Sequence, residues 1–305
     1  MVTLALPPEP LPRSAPDSHT HLDMIQGGSG GMGPPRSGGG LGGVVPPGLA
    51  QILAEARAAG ITRMITVGTD LETSRWSARR AEEHDAVYAA VAIHPNETSA
   101  ATTAPIPAAR PPFTSRSPLT ADEVLVEIEA LASLPRVVAV GETGLDYYRD
   151  HAAPDVQRWW FREHIAIAKR TGKALMIHDR EAHEDVLRIL AEEGPPPQVV
   201  FHCFSGDVEM VKRCAEAGYV MSFAGNVTFG NARPLQAAAA AVPLDLMLAE
   251  TDAPFLTPVP NRGRPNSPAQ VANTLRFLAD LKGMPLADLC DAVTATAERT
   301  FGLKL

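Results

Sequence analysis

Six side chains of the types that bind metal ions occur at the predicted ends of successive strands in this 305-residue chain. The six candidate ligands are His19, His21, Glu142, His178, His202 and Asp252. Residues two apart on an extended segment point to the same side, so His19 and His21 can bind one ion. Four further ligands at the same edge would complete a binuclear centre. Such a centre turns water into a nucleophile at neutral pH and stabilises charge on a substrate oxygen.

The carboxylate of Glu142 is the predicted bridge of this centre. Each of its two oxygens can bind one cation, and its negative charge offsets the repulsion between the ions. His19, His21 and Asp252 would bind the first ion together with Glu142. Asp252 ends the last predicted strand, where it could also accept the proton of the attacking water. Glu142 and Asp252 are therefore the predicted catalytic residues.

The second ion would be bound by His178, His202 and Glu142, a smaller set that predicts faster exchange of this ion. Imidazole and carboxylate ligands without thiolate suit zinc, manganese, iron or, with more carboxylate and water, magnesium. A lone histidine at a strand end more often satisfies a structural hydrogen bond than binds a metal. The ordered set of six is what indicates a metal centre.

Other residues near the predicted strand ends are candidates for binding the substrate. His94 ends the third predicted strand and would face the same opening without binding either ion. A substrate phosphate or a structural hydrogen bond to the following loop would suit that position. Arg180 lies two residues after His178, and Arg264 lies in a loop after Asp252. A planar guanidinium matches phosphate oxygens, so both arginines are candidate phosphate ligands, although exposed arginines more often contact only solvent.

Two adjacent tyrosines and one acidic residue complete the candidate site. Tyr147 and Tyr148 follow the Glu142 motif and could stack on a nucleobase, as aromatic side chains do in single-strand binders. We expect one of the two to pack beneath its own loop, and assign Tyr147 to the substrate. Glu250 precedes Asp252 by two residues and is a candidate for orienting a metal ligand.

Eight short apolar runs rich in β-branched residues predict the strands that position these side chains. They are the segment entering Asp17-Ser18 and residues 62–68, 86–93, 137–141, 174–177, 198–201, 219–223 and 246–249. Helical stretches with capping or terminating residues lie between them. These stretches are residues 48–59, 71–84, 120–134, 155–171, 181–193 and 207–217, with another beginning at Ser267-Pro268.

The alternation of buried strands with helices predicts a parallel sheet, and eight such units predict a single TIM-type (β/α)8 barrel. The alternative is a doubly wound open sheet, which gathers ligands at one crevice. The candidate ligands follow the first, fourth, fifth, sixth and eighth runs. Only a barrel brings all of these strand ends to one opening, so we predict the barrel.

Composition limits the remaining possibilities. The length fits one domain over residues 1–305, interrupted by irregular Gly/Pro-rich or Ala/Pro-rich insertions at about 26–47 and 100–118. Each insertion is either a lid over the site or a surface excursion without function. A net charge of -8 argues against an extended basic DNA-binding surface, although a local basic opening stays possible. Residues 1–16 lack signal-peptide features and no apolar run is long enough to span a membrane, so we expect a cytoplasmic location.

Seven segments of the chain match the motifs of a known family. They are Asp17–Asp23 (DSHTHLD), Ala92–Pro95 (AIHP), Gly141–Tyr147 (GETGLDY), Ile177–Arg180 (IHDR), His202–Gly206 (HCFSG), Glu250–Leu256 (ETDAPFL) and Pro258–Pro268. With these motifs the chain resembles the TatD family of metal-dependent deoxyribonucleases, within the amidohydrolase-like barrel superfamily, over essentially its whole length. The two insertions depart from the family pattern, which leaves the size of the substrate open.

The resemblance implies a two-metal hydrolase that cleaves phosphodiester bonds and trims DNA from the 3′ end. It implies the same six metal ligands, with magnesium or manganese as the functional ions; zinc, iron and nickel are compatible with such ligands. DNA, single-stranded or with frayed ends, is then the expected substrate, and no membrane or obligate protein partner is expected.

Two other functions are compatible with the same ligands. A small-molecule amidohydrolase, lactonase or phosphotriesterase-like hydrolase needs the metals but not the phosphate-binding arginines. A binding protein whose metal site has lost catalysis is the third possibility, and the presence of all six ligands gives it no support.

Overall fold

Eight parallel strands that pair in chain order form the centre of the computed structural model, which describes residues 5–26, 47–101, 119–149 and 151–303. The strands are β1 (Ala15–Thr20), β2 (Ile61–Val67), β3 (Val87–Val91), β4 (Val137–Asp146), β5 (Ala174–Arg180), β6 (Val199–Phe201), β7 (Val220–Phe223) and β8 (Met247–Ala249). All eight predicted strands are therefore confirmed. Apart from their end residues, both predicted insertions lie outside the described residues. The extent of a single domain over residues 1–305 stays a prediction.

The sheet closes between β1 and the segment that follows β8. Thr20 pairs in parallel with Ala253. The backbone N–H of Asp252 donates to the carbonyl of His19 at 2.9 Å, and that of His21 donates to the carbonyl of Ala253 at 2.8 Å. An open sheet has no such contact between its first and last strands. The structure is therefore a TIM-type (β/α)8 barrel, as predicted.

Helices follow the strands around the outside of the barrel. In the described ranges they are α1 (Leu22–Ile25), α2 (Leu49–Ala58), α3 (Leu71–Glu83), α4 (Ala121–Ala132), α5 (Pro154–Thr171), α6 (His183–Glu193), α7 (Val208–Glu216), α8 (Arg233–Ala241), α9 (Val271–Lys282) and α10 (Leu286–Phe301). A capping box begins α4, where Thr120 and Glu123 exchange side-chain and backbone hydrogen bonds. Helices α1, α8 and α10 were not predicted. None of the described helices is long and apolar enough to cross a bilayer.

Two strands extend beyond their predicted ends. β4 was predicted to stop at Gly141 and β5 at Ile177, but they continue to Asp146 and Arg180 and remain paired, with Gly144 opposite His178. Glu142 and His178 therefore lie inside strands, near their carboxyl ends. The pairing of Thr143–Asp146 with Ile177–Arg180 holds this end of both strands, although the register shifts between Val140 and Thr143, where Glu142 lies.

The interior of the barrel is a separate apolar cluster. It takes residues from seven successive strands, including Ile65, Val138, Met176 and Leu248. Phe301 and Leu303, at and just beyond the end of α10, join the same cluster. Met176 contacts a candidate metal ligand, because its sulfur lies 3.2 Å from Nδ1 of His19. The apolar cluster inside the barrel therefore lies directly beneath the candidate ligands.

Candidate metal centre

The carboxylate of Glu142 lies at the middle of the predicted ligand set. The side chain is almost fully buried, and its two oxygens face different groups of ligands. Oε2 lies 3.6 Å from Nε2 of His19 and 3.8 Å from Nε2 of His21. Oε1 lies 2.6 Å from Nδ1 of His178 and 2.8 Å from Nε2 of His202. Each oxygen of Glu142 could therefore contact a separate ion, and the bridge between two ions stays a prediction.

The first group of ligands gathers at the closing edge of the barrel. Nε2 of His19 lies 3.2 Å from Nε2 of His21, and Oδ1 of Asp252 lies 3.7 and 3.4 Å from these two atoms. The ligand atoms of the three residues all lie within 4.8 Å of one another. Such mutual distances leave room for one cation between imidazole nitrogens and carboxylate oxygens.

The second group contains a residue that was predicted to bind substrate. Nε2 of His94 lies 3.3 Å from Oε1 of Glu142 and 3.4 Å from Nδ1 of His178. His94, Glu142 and His178 form a possible metal-binding triplet. Nδ1 of His94 also accepts a hydrogen bond from the backbone of Asn96 at 3.0 Å. The geometry thus makes His94 a candidate metal ligand, a role that the sequence analysis did not give it.

The donor set fits a cation on physical grounds. Oε2 of Glu142 is buried and has no hydrogen-bond partner in the described residues. A buried carboxylate oxygen without a hydrogen-bond donor is costly unless a positive charge lies beside it. The nearby histidine nitrogens and the Asp252 carboxylate are the ligand types that divalent metals take in proteins. These residues are therefore able to bind metal.

Burial and mutual repulsion affect the protonation of these ligands. Burial opposes ionisation of Glu142, but His202, His94 and His178 together hold the pKa of this carboxylate well below its usual range. Burial and the neighbouring His202 lower the pKa of His19 well below its usual value. An ionised carboxylate and a neutral imidazole are the forms that bind a metal ion.

Although burial opposes the charged ring, Asp252 and Glu142 raise the pKa of His21 to about 9, and Glu142 and Glu250 raise that of His202. These two rings must therefore release a proton when an ion binds.

The second ring nitrogen of each ligand histidine has its own partner. Nδ1 of His202 lies 3.1 Å from Oε1 of Glu250, which also accepts a hydrogen bond from the backbone of Cys203. Nε2 of His178 lies 3.2 Å from Oδ2 of Asp146. Such contacts fix the orientation of a ligand ring. Glu250 lies where the sequence predicted an orienting group.

The ligands open onto a cavity of about 370 Å³ at the carboxyl ends of the strands. Five of the six predicted ligands line it, together with Arg149 and Arg180. Arg180 therefore lies beside the candidate ligands, and its role in binding phosphate stays a prediction. Arg149, Asn96, Asp146 and Phe255 were not predicted as site residues, although Asp146 and Phe255 belong to motifs recognised in the sequence.

Two predicted substrate-binding residues lie elsewhere. Nη1 of Arg264 donates to Oδ1 of Asn261 at 3.3 Å, and Arg264 is not among the described residues that line the cavity. The hydroxyl of Tyr147 donates to Oδ2 of Asp185 at 2.6 Å and accepts a hydrogen bond from Arg158. Tyr147 is therefore held against α5 and α6. The structure does not bring either residue to the substrate opening.

Comparison with known proteins places this geometry in a family. A family model described as TatD related DNase matches residues 16–302. The uncharacterized metal-dependent hydrolase TatD of Mycobacterium tuberculosis is 41% identical over 292 residues, which cover 94% of this chain and 97% of that protein. The uncharacterized metal-dependent hydrolase YabD of Bacillus subtilis is 35% identical over 254 residues, with coverages of 83% and 92%.

A solved structure agrees with these sequence matches. The crystal structure of YJJV, a TatD homolog from Escherichia coli K12, superposes with a TM-score of 0.77 at 26% sequence identity. The superposition covers 94% of this chain and 98% of that one. The chain therefore belongs to the TatD-related DNase family of metal-dependent hydrolases.

Proposed function

We propose that this protein is a divalent-metal-dependent nuclease that cleaves phosphodiester bonds of DNA from the 3′ end, with single strands or frayed ends as its substrate. The observation that carries the proposal is the position of Glu142, whose two oxygens face separate ligand groups at the base of one cavity. The description of the matching family as TatD related DNase supports DNA as the substrate class.

The site residues have separate roles in this proposal. The two ions, when bound, would lower the pKa of water and neutralise charge on phosphate oxygens. Glu142 spans both ligand groups. Asp252, whose side chain is 14% exposed beside His21, is placed to accept the proton that the attacking water loses. Arg180 and Arg149 line the cavity and would hold the phosphodiester backbone by bidentate hydrogen bonds.

A labelled-oligonucleotide assay tests the proposal. Single- and double-stranded DNA labelled at the 5′ end should shorten stepwise when magnesium or manganese is added. Glu142→Ala and Asp252→Ala should remove this activity, because each loses a ligand that the rest of the site cannot replace. Full activity in either variant, or cleavage that needs no divalent cation, contradicts the proposal. Thermal melting of both variants serves as the folding control.

A small-molecule hydrolase is a second candidate, because a cavity of about 370 Å³ lies in the size range of small-ligand pockets. Simple esters, lactones and bis-aryl phosphates assayed beside the oligonucleotide separate the two functions. Charge reversal at Arg180 should impair only phosphodiester cleavage if DNA is the substrate. Efficient lactone or ester hydrolysis without DNA cleavage favours the second candidate.

A further inference from the structure

An exposed aromatic ring, that of Tyr148, packs against an arginine that lines the cavity, although Tyr148 itself is not among the described residues that line it. Tyr148 follows β4 directly after Tyr147 and is 61% exposed. One face of its ring is covered by the guanidinium of Arg180, which lies 4.0 Å from the ring centroid. Arg180 lines the cavity above the metal ligands. The high exposure of Tyr148 leaves part of its ring accessible to solvent, next to the guanidinium of Arg180.

The loop that carries Tyr148 is hydrogen-bonded to Asp146, which also contacts the candidate metal ligand His178. The backbone N–H groups of Tyr148 and Arg149 donate to Oδ1 of Asp146 at 3.1 and 2.9 Å. The other oxygen of Asp146 lies 3.2 Å from Nε2 of His178. One carboxylate therefore connects a candidate metal ligand with the tyrosine, and little conformational entropy is lost when a ligand meets the ring.

Neighbouring contacts hold the same loop from the other side. The backbone N–H of Tyr147 donates to the carbonyl of Arg180 at 2.9 Å, and its hydroxyl donates to Asp185 on α6. Tyr147 is held by these contacts, whereas the side chain of Tyr148 is 61% exposed, so the two adjacent rings have different surroundings. An exposed ring held this way suits stacking on a flat partner.

We propose that the exposed ring of Tyr148 stacks on a nucleobase of the substrate strand, while Arg180, packed on the opposite face of the ring, binds the adjoining backbone phosphate. The inference rests on the proposed nuclease function and specifies how the strand is held. Every base has a π face, so the subsite accepts any sequence but requires an unpaired base. Arg149, which lines the same cavity, adds positive charge for the backbone.

Steady-state kinetics with Tyr148→Ala and Tyr148→Phe test the inference. The substrates are a 5′-labelled oligothymidylate and the same oligonucleotide with abasic residues at its last two 3′ positions. With oligothymidylate, Tyr148→Ala should raise KM about 5- to 100-fold, the range expected for one lost base stack, and change kcat little. Tyr148→Phe should behave as wild type. On the abasic substrate, wild type and Tyr148→Ala should have equal KM values.

Two results would overturn the inference while leaving the nuclease function intact. One is an unchanged KM of Tyr148→Ala with oligothymidylate. The other is an equal loss on the intact and abasic substrates, which would reveal a purely structural role. Val126→Ala, a truncation of a 70% exposed side chain on α4, is the matched surface control. If the wild-type protein cleaves neither oligonucleotide with any divalent cation, the proposed function fails, and this inference fails with it.

Discussion

Glu250 illustrates how a single residue can orient a candidate metal ligand. It is fully buried, and its Oε1 holds Nδ1 of His202 at 3.1 Å. Glu250→Gln removes the charge that orients and polarises the ring but keeps an oxygen acceptor. We expect metal affinity or activity to fall about 10- to 100-fold. Metal titration followed by calorimetry measures the change, with Glu298→Gln on the exposed face of α10 as control. Unchanged affinity in Glu250→Gln contradicts this role.

His164 gives a residue-level prediction about pH. It is buried between Thr143 and Ile93, with contacts of 2.7 and 3.3 Å to its ring nitrogens, and burial lowers its pKa from 6.5 to about 3. Between these values the unfolded chain binds a proton at His164 that the folded protein does not. The free energy of unfolding is therefore not reduced by His164 above pH 6.5, and it falls as the pH drops from 6.5 toward 3.

The pH prediction can be isolated with one substitution. Below pH 6 the wild-type protein should lose up to about 1.4 kcal/mol of unfolding free energy per pH unit through this histidine alone. His164→Gln keeps hydrogen-bonding capacity but does not titrate, so its unfolding free energy should depend less on pH. Urea denaturation between pH 4 and 7.5 measures the difference, and exposed His151→Gln is the control. Identical pH profiles of His164→Gln and wild type would refute the assignment.

At the residue scale, the sequence predicted which side chains gather as candidate metal ligands better than it predicted which ones line the cavity as substrate contacts. The ligand types and their order after predicted strands were enough to bring the six residues together. One of Tyr147 and Tyr148 was expected to pack beneath its loop, but only the hydrogen bond from Tyr147 to Asp185 shows which one it is. Arg264 follows Asp252 in sequence, yet it donates to Asn261 and is not among the described residues that line the cavity, which the sequence alone does not reveal.

At the scale of elements, strands were predictable where apolar runs were clear, and most helices from the longer stretches between them. α8 ends in a run of five alanines and buries only Ala238 and Ala239, so no large apolar side chain marks its inner face. α10 was missed although it buries large apolar residues such as Leu289 and Phe301. The added lengths of β4 and β5 escaped prediction because Glu142, Asp146 and His178 are polar, whereas buried strands are usually apolar.

The close pairing of β4 with β5 makes Gly144 sensitive to substitution. Its φ is 135°, and a Cβ at this position would lie 2.1 Å from the carbonyl oxygen of His178. Gly144→Ala should therefore cost about 3 kcal/mol of unfolding free energy and weaken metal binding through His178. Gly283→Ala, at a φ of 63° with nothing within 4 Å of the added carbon, should cost only about 1 kcal/mol. Chemical denaturation compares the two, and equal costs would show that the approach to His178 is unimportant.

For the whole molecule, metal binding should be linked to stability. The candidate ligands come from β1, β4, β5 and the segments after β6 and β8, so a bound ion connects strands that are distant in sequence. An ion at 100 times its Kd adds about 2.7 kcal/mol to the unfolding free energy if it binds only the folded chain. Chelation should lower Tm, and added manganese should restore it. An unchanged Tm after both chelation and manganese addition would argue against an ion that connects these strands.

The closure of the barrel has a consequence for its dynamics. Its first and last strands meet through the Asp252-to-His19 and His21-to-Ala253 backbone hydrogen bonds, and the same residues supply the first ligand group. A cation bound there would hold together the pairing that closes the barrel. After chelation, amide protons of His21 and Asp252 should exchange with deuterium faster than those of the β4–β5 pair. Local opening of the barrel would then begin at the candidate metal ligands themselves.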